Sequence, residues 1–208
     1  MVKKITFIFV SLNQNNMNIL PKTITDRVSI KNVKENFGHD LCGFFCDIYF
    51  DNKKVGYLNN DGWGGCPDIR PYGYDDKSKA LLKSFEDFLT EQGMAQFQAD
   101  DYNKPHPQMP TGKNDWVAND FSFDNQVEFL CERLNFLKSI ERQSKKAILY
   151  GNPRSTNYKI VSWKGVKTLD EVVASIGTAR FKVIVDGIKA KLIEGEMIYN
   201  TNLEKYLQ

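Results

Sequence analysis

Lys159 and Trp163 stand four residues apart in the segment NYKIVSW at 157–163. Its β-branched and aromatic composition predicts a strand. Side chains four apart in a strand share a face, so an ammonium and an indole lie together there. A ring beside a cation suits a stacked base with its phosphate close by. Tyr158 adds a second ring and Lys146 a further cation. The loop at 151–156 offers backbone N–H groups, two hydroxyls and Arg154, a set able to hold a phosphate. Around it, residues 138–167 carry Lys138, Arg142, Lys145, Lys146, Arg154, Lys159, Lys164 and Lys167 against Glu141 alone. Arg154, Tyr158, Lys159, Trp163 and Lys146 are therefore the expected ligand-binding residues. The expected ligand is anionic, a nucleotide or a single-stranded nucleic acid. The competing view is a solvated helix end followed by a hairpin whose rings lie in the core.

Other constellations carry less. The glycine-rich stretch NNDGWGG at 59–65 offers Asn59 and Asp61 to a cation, or backbone N–H groups to an anion. It lacks the Lys-Ser or Lys-Thr that follows the glycines of a phosphate-binding loop, and reads as a turn. Cys42 and Cys46 share a strand face, with Cys66 and His39 near in sequence. Zinc sites use tighter cysteine pairs, and cysteine among Phe44, Ile48 and Phe50 behaves as a small hydrophobe. Asp40, Asp47 and Asp51 with Lys53 and Lys54 faintly imitate the set of a metal-dependent nuclease. The last three sit in a predicted turn, a poor frame for metal geometry. His39 and His106 are the two histidines, and no Gly-x-Ser-x-Gly elbow is present. No residue is assigned a catalytic role, and no metal or cofactor is assigned.

The elements that must position these residues follow from periodicity and caps. Residues 3–12 and 24–34 read as strands. LCGFFCDIYF at 41–50 reads as a strand with Cys42, Phe44, Cys46, Ile48 and Phe50 on one face and Leu41, Phe45, Asp47 and Tyr49 on the other. A turn at 51–54 returns the chain through 55–58. A helix is expected from Lys77 to about Gln92, capped by Asp75 or Asp76 and stopped by Gly93. Residues 99–115, with three prolines and no period, read as a loop. A second helix is expected over about 123–144, then strands at 146–150 and 157–163. Thr168 and Glu171 form a capping box for a further helix, which Gly177 interrupts.

The chain has 208 residues, 41% hydrophobic and 26% charged, with a net charge of +2. Those values describe an ordinary globular protein, make disorder a poor reading of the whole chain, and leave a net charge too small to imply a polyanion partner by itself. Four cysteines in a chain this long do not make a secreted disulfide scaffold. Lys3 and Lys4 before an apolar run imitate a signal peptide, but Asn13-Gln14-Asn15-Asn16 replaces the cleavage site. No apolar run approaches membrane-spanning length. A cytoplasmic location away from the membrane is expected.

Short turns between adjacent strands argue for antiparallel pairing, hence an α+β fold. The expected layout is a β-rich half with one helix at 1–98, a linker at 99–115 and a helical half with a β-hairpin at 116–208, with one continuous domain as the alternative. The leading function is non-enzymatic binding of an anionic ligand through the basic, aromatic hairpin. The alternative is a protein–protein module, such as a phage or mobile-element inhibitor of a host enzyme, using Trp63, Tyr72, Tyr74 and Trp116. Third stands a metal-dependent hydrolase using Asp40, Asp47 or Asp61.

Overall fold

The computed structural model describes residues 19–37, 42–63, 66–103, 115–153 and 158–207. The strand expected at 3–12, together with His39, Asp40, His106 and Arg154, lies outside them. The fold is α+β, with all sheet pairings antiparallel.

The first sheet is a four-stranded meander in the order β1 (Val28–Phe37), β2 (Cys42–Phe50), β3 (Lys53–Asn60) and β4 (Asp68–Pro71). Asp51 and Asn52 join β2 to β3 with φ of 47° and 63°. Both residues tolerate this left-handed conformation, and a two-residue turn with positive φ matches the twist of the strands it connects. One face of the sheet carries Ile30, Phe44, Cys46, Ile48, Phe50 and Leu58, all buried. Against it pack α2 (Asp76–Glu91) and α4 (Phe123–Ser144), through Phe85, Phe88, Leu89, Val127, Leu130 and Leu134. Phe85 is wholly buried, and burying such a ring contributes about 2–3 kcal/mol relative to leaving it in water. The cap of α2 is Asp75, whose Oδ1 accepts from the Ser78 N–H at 2.9 Å.

The second sheet is small, in the order β6 (Lys159–Ser162), β5 (Ala147–Gly151) and β7 (Met197–Ile198). Helices α5 (Leu169–Ile176) and α6 (Thr178–Lys189) cover it through Val172, Phe181 and Val185. Thr168 caps α5 by accepting from the Glu171 N–H at 3.2 Å, while Glu171 reaches back to the Lys167 N–H at 2.8 Å. Gly177, with φ of 83°, separates α5 from α6. The long helix α4 serves both halves: Leu137 packs against the core of the first sheet and against the cluster of Phe136, Ile140, Leu149 and Tyr199.

Two expectations require correction. Residues 24–27 are not strand. They belong to α1 (Lys22–Arg27), and β1 begins only at Val28. Pro21 opens that turn, a position where proline loses no hydrogen bond, and Ile24 is its buried residue. Residues 99–103 are not loop. They complete α3 (Met94–Asn103), whose buried side is Met94, Gln98, Ala99 and Asp101. Two of those four are polar, which hid the helical period. Asp101 is held by Arg133 of α4 in a buried ion pair at 2.8 Å, and Arg133 also donates to the Pro153 carbonyl at 3.1 Å.

Candidate functional site

The basic hairpin turns its rings inward. Tyr158 packs on Phe136 at 6.0 Å between ring centroids, and its hydroxyl shares a hydrogen bond with Ser139 Oγ at 2.8 Å. Trp163 packs on Phe181 at 6.1 Å, against the cluster under α5 and α6. The two rings therefore serve different clusters. Lys159 is exposed, but its Nζ lies 2.7 Å from Glu196 Oε1. Its hydrogen bond holds the Glu196 carboxyl below its usual range. Lys146 is exposed and precedes β5, across from the end of β6 that leads to Trp163. The hairpin thus brings Lys146 near Trp163, while Lys159 stands beside Tyr150, 5.6 Å from its ring.

A denser array of the same residue types occupies the other face of the first sheet. Directly opposed residues of an antiparallel pair project to the same side. The register gives three lines across the strands. Lys31 opposes Asp47, Asp47 opposes Tyr57, and Tyr57 opposes Arg70. Lys34 opposes Phe45, then come Asn59 and Asp68. Ser29 opposes Tyr49, which opposes Lys54. Phe45 and Tyr57 are ring neighbours at 5.9 Å with 34° between planes. Phe45, Tyr49 and Tyr57 are half-buried and belong to none of the core clusters of the described residues. At one end of this face, a Cβ on Gly43 would lie 3.0 Å from the Asn60 carbonyl oxygen. The loop carrying Trp63 therefore crosses that end.

The charges on this face are only partly neutralised. Asp47, 6% exposed, takes Lys54 at 2.8 Å and accepts from Asn32 Nδ2 at 2.6 Å. Burial pushes its carboxyl up, and the bonds from Lys54 and Asn32 together outweigh burial and hold it below the usual range. Arg70 is paired with Asp68 at 2.6 Å. Lys31 and Lys34 form no ion pair among the described residues, although Lys34 helps to hold the Asp47 carboxyl down. Their ammonium groups lie over rings instead, Lys31 at 4.2 Å from the Tyr49 centroid and Lys34 at 5.8 Å from that of Phe45. Such contacts at exposed sites are worth only about 0.5–1 kcal/mol.

The remaining constellations resolve into structure. Asn60 and Asp61 fold the glycine-rich loop by accepting from the Gly62 and Trp63 N–H groups, each at 2.9 Å. Asp51 clamps Arg27 through both carboxylate oxygens, at 2.8 and 2.6 Å. Cys46 and Cys131 meet in the core, where burial and their mutual contact push the Cys131 thiol far up. Cys66 is exposed. Among the described residues no three His, Cys, Asp or Glu side chains gather to hold a metal, and no helix is long and apolar enough to cross a membrane. Trp63, Tyr72, Tyr74 and Trp116 are all exposed.

No known protein family, curated protein or solved structure matches this chain. The outer sheet face is therefore read from its own geometry. One signal for it was legible: Phe45, Asp47 and Tyr49 fall on the non-core face of their strand by alternation alone. Joining them to Lys31, Lys34, Tyr57 and Arg70 needed the strand register.

Proposed function

We propose that this protein binds single-stranded nucleic acid on the outer face of its first sheet. The reading rests on one observation: Phe45, Tyr49 and Tyr57 interleave with Lys31, Lys34, Lys54 and Arg70 on a face that belongs to no core cluster among the described residues. Rings on the open face of a four-stranded sheet stack bases, and cations between them meet the backbone phosphates.

The energetics favour exchange. In the free protein Lys31 and Lys34 cover Tyr49 and Phe45 through weak cation–π contacts. A base taking the ring gains about 1–3 kcal/mol, against about 0.5–1 kcal/mol lost with the lysine. The displaced ammonium then reaches a phosphate. Asp47 remains locked by Lys54 and Asn32 and spaces the rings without presenting a free charge.

The test is the salt dependence of oligothymidylate binding, followed by fluorescence anisotropy. Two lysines released onto phosphates give a slope of log K against log salt near −1.4, at about −0.7 per contact on a single strand. Lys31→Ala should lower that slope by about 0.7. A slope unaltered by that substitution removes Lys31 from the interface.

A further inference from the structure

A cleft of about 600 Å³ opens between the β2–β3 turn and the first turns of α2. Nothing in the sequence pointed to it, because its walls come from three separate elements. Lys53 and Lys54 stand on one side, at the start of β3. Lys77 stands on the other, in the first turn of α2. Tyr72 forms a wall and is 46% exposed, so its ring is open to a ligand. Ala80 and Leu81 supply an apolar floor.

The charges explain what would fill it. Lys54 is satisfied by Asp47. The carboxylates at the cleft's margin are committed elsewhere, Asp51 to Arg27, Asp76 to Lys79 and Asp75 to the cap of α2. Lys53 feels the Asp51 carboxylate electrostatically, but neither Lys53 nor Lys77 forms an ion pair among the described residues. Two ammonium groups outside any ion pair therefore line an apolar cleft of the size that takes small ligands. An anion entering it meets both ammonium groups, and a planar ring attached to that anion meets Tyr72 and Leu81. A bare anion would leave the apolar floor unused, and a neutral ring would leave the lysines unmatched. We propose that this cleft binds a nucleoside phosphate, with the base against Tyr72 and the phosphate between Lys53 and Lys77. The ligand is either a free nucleotide or the phosphorylated end of a strand, since Lys54 connects the cleft to the outer sheet face. The proposal does not depend on nucleic acid binding by that face.

Isothermal titration of the full chain tests it, with a nucleoside monophosphate, the unphosphorylated nucleoside, inorganic phosphate and a terminally phosphorylated oligothymidylate as probes. Single-site binding of the monophosphate is expected, at least tenfold tighter than either the nucleoside or phosphate alone. Lys77→Glu and Tyr72→Ala should each weaken it tenfold or more, with unchanged circular dichroism. Lys31→Glu, on the outer sheet face, should leave it unchanged. Binding of the monophosphate identifies a free-nucleotide site. An effect of Lys77→Glu confined to the phosphorylated oligonucleotide identifies the cleft as the seat of a strand end. Affinity for both probes that is absent, or indifferent to Lys77→Glu and Tyr72→Ala, overturns the proposal.

Discussion

Tyr57 is the residue on which the outer face turns. It opposes Asp47 on one side and Arg70 on the other, and touches Phe45 diagonally. Its ring is half-buried without joining the core, so truncating it removes a stacking surface and little packing. Tyr57→Ala should weaken oligothymidylate binding by about 1–3 kcal/mol, roughly five- to 150-fold, while Tyr57→Phe keeps the ring and the affinity. Anisotropy titrations of the two variants give the comparison. The residues of the basic hairpin behave differently, because composition alone could not separate a ring that meets solvent from a ring that meets Phe136 or Phe181. Trp163 falls just past the end of β6, which closes at Ser162. The sequence had no means of showing that Glu196, 37 residues away, pairs with Lys159.

Among the elements, legibility followed the strength of the local pattern. Helices α2 and α4 were predicted nearly to the residue, since each has a long apolar stripe and a side-chain cap. The turn expected at 51–54 is confined to Asp51 and Asn52, and Lys53 and Lys54 already belong to β3. Helix α3 was hidden because Gln98 and Asp101 replace apolar side chains on its buried face. The outer sheet face was hidden by two irregularities. The register shifts between Lys31 and Lys34, with Asn32 at φ of 52°, and again between Ile48 and Tyr49. Strict alternation would put Lys31 and Lys34 on opposite faces; the bulge puts them on one.

The edge strand β4 is the most delicate part of that face. A Cβ on Gly56 would lie 2.3 Å from the Arg70 carbonyl oxygen. Gly56→Ala should therefore push β4 away from β3 and cost about 1–3 kcal/mol, read from chemical denaturation. Helix α4 carries a different sensitivity. Burial, reinforced by Glu128 and opposed by Arg133, pushes the Glu132 carboxyl up to about 7. The folded protein thus holds this proton more tightly than the unfolded chain. Stability contributed by Glu132 falls as pH rises from its ordinary value of 4.5 to about 7, then levels off. The side chain still reaches water, so the slope is shallow. Glu132→Gln should flatten that part of the stability profile, measured by urea unfolding between pH 4.5 and 8.

For the whole molecule, the division of labour runs through α4. One of its sides closes the core of the first sheet, and its C-terminal turns meet the second sheet. Arg133 ties it to α3 through a buried bond and to Pro153, just past β5, through a part-buried one. Among the described residues this frame leaves the outer face of the first sheet outside every core cluster, whereas the second sheet spends its aromatics on packing. Binding chemistry at the hairpin and binding chemistry at the outer face therefore make opposite spatial predictions. The most direct test is ultraviolet cross-linking of the full chain to a thymine oligonucleotide, with the adducts located by peptide mass spectrometry. Adducts at Phe45, Tyr49 or Tyr57 are the expected result. Adducts confined to Tyr158 and Trp163, or none at a saturating oligonucleotide concentration, would contradict the assignment of the outer sheet face as the single-strand binding surface.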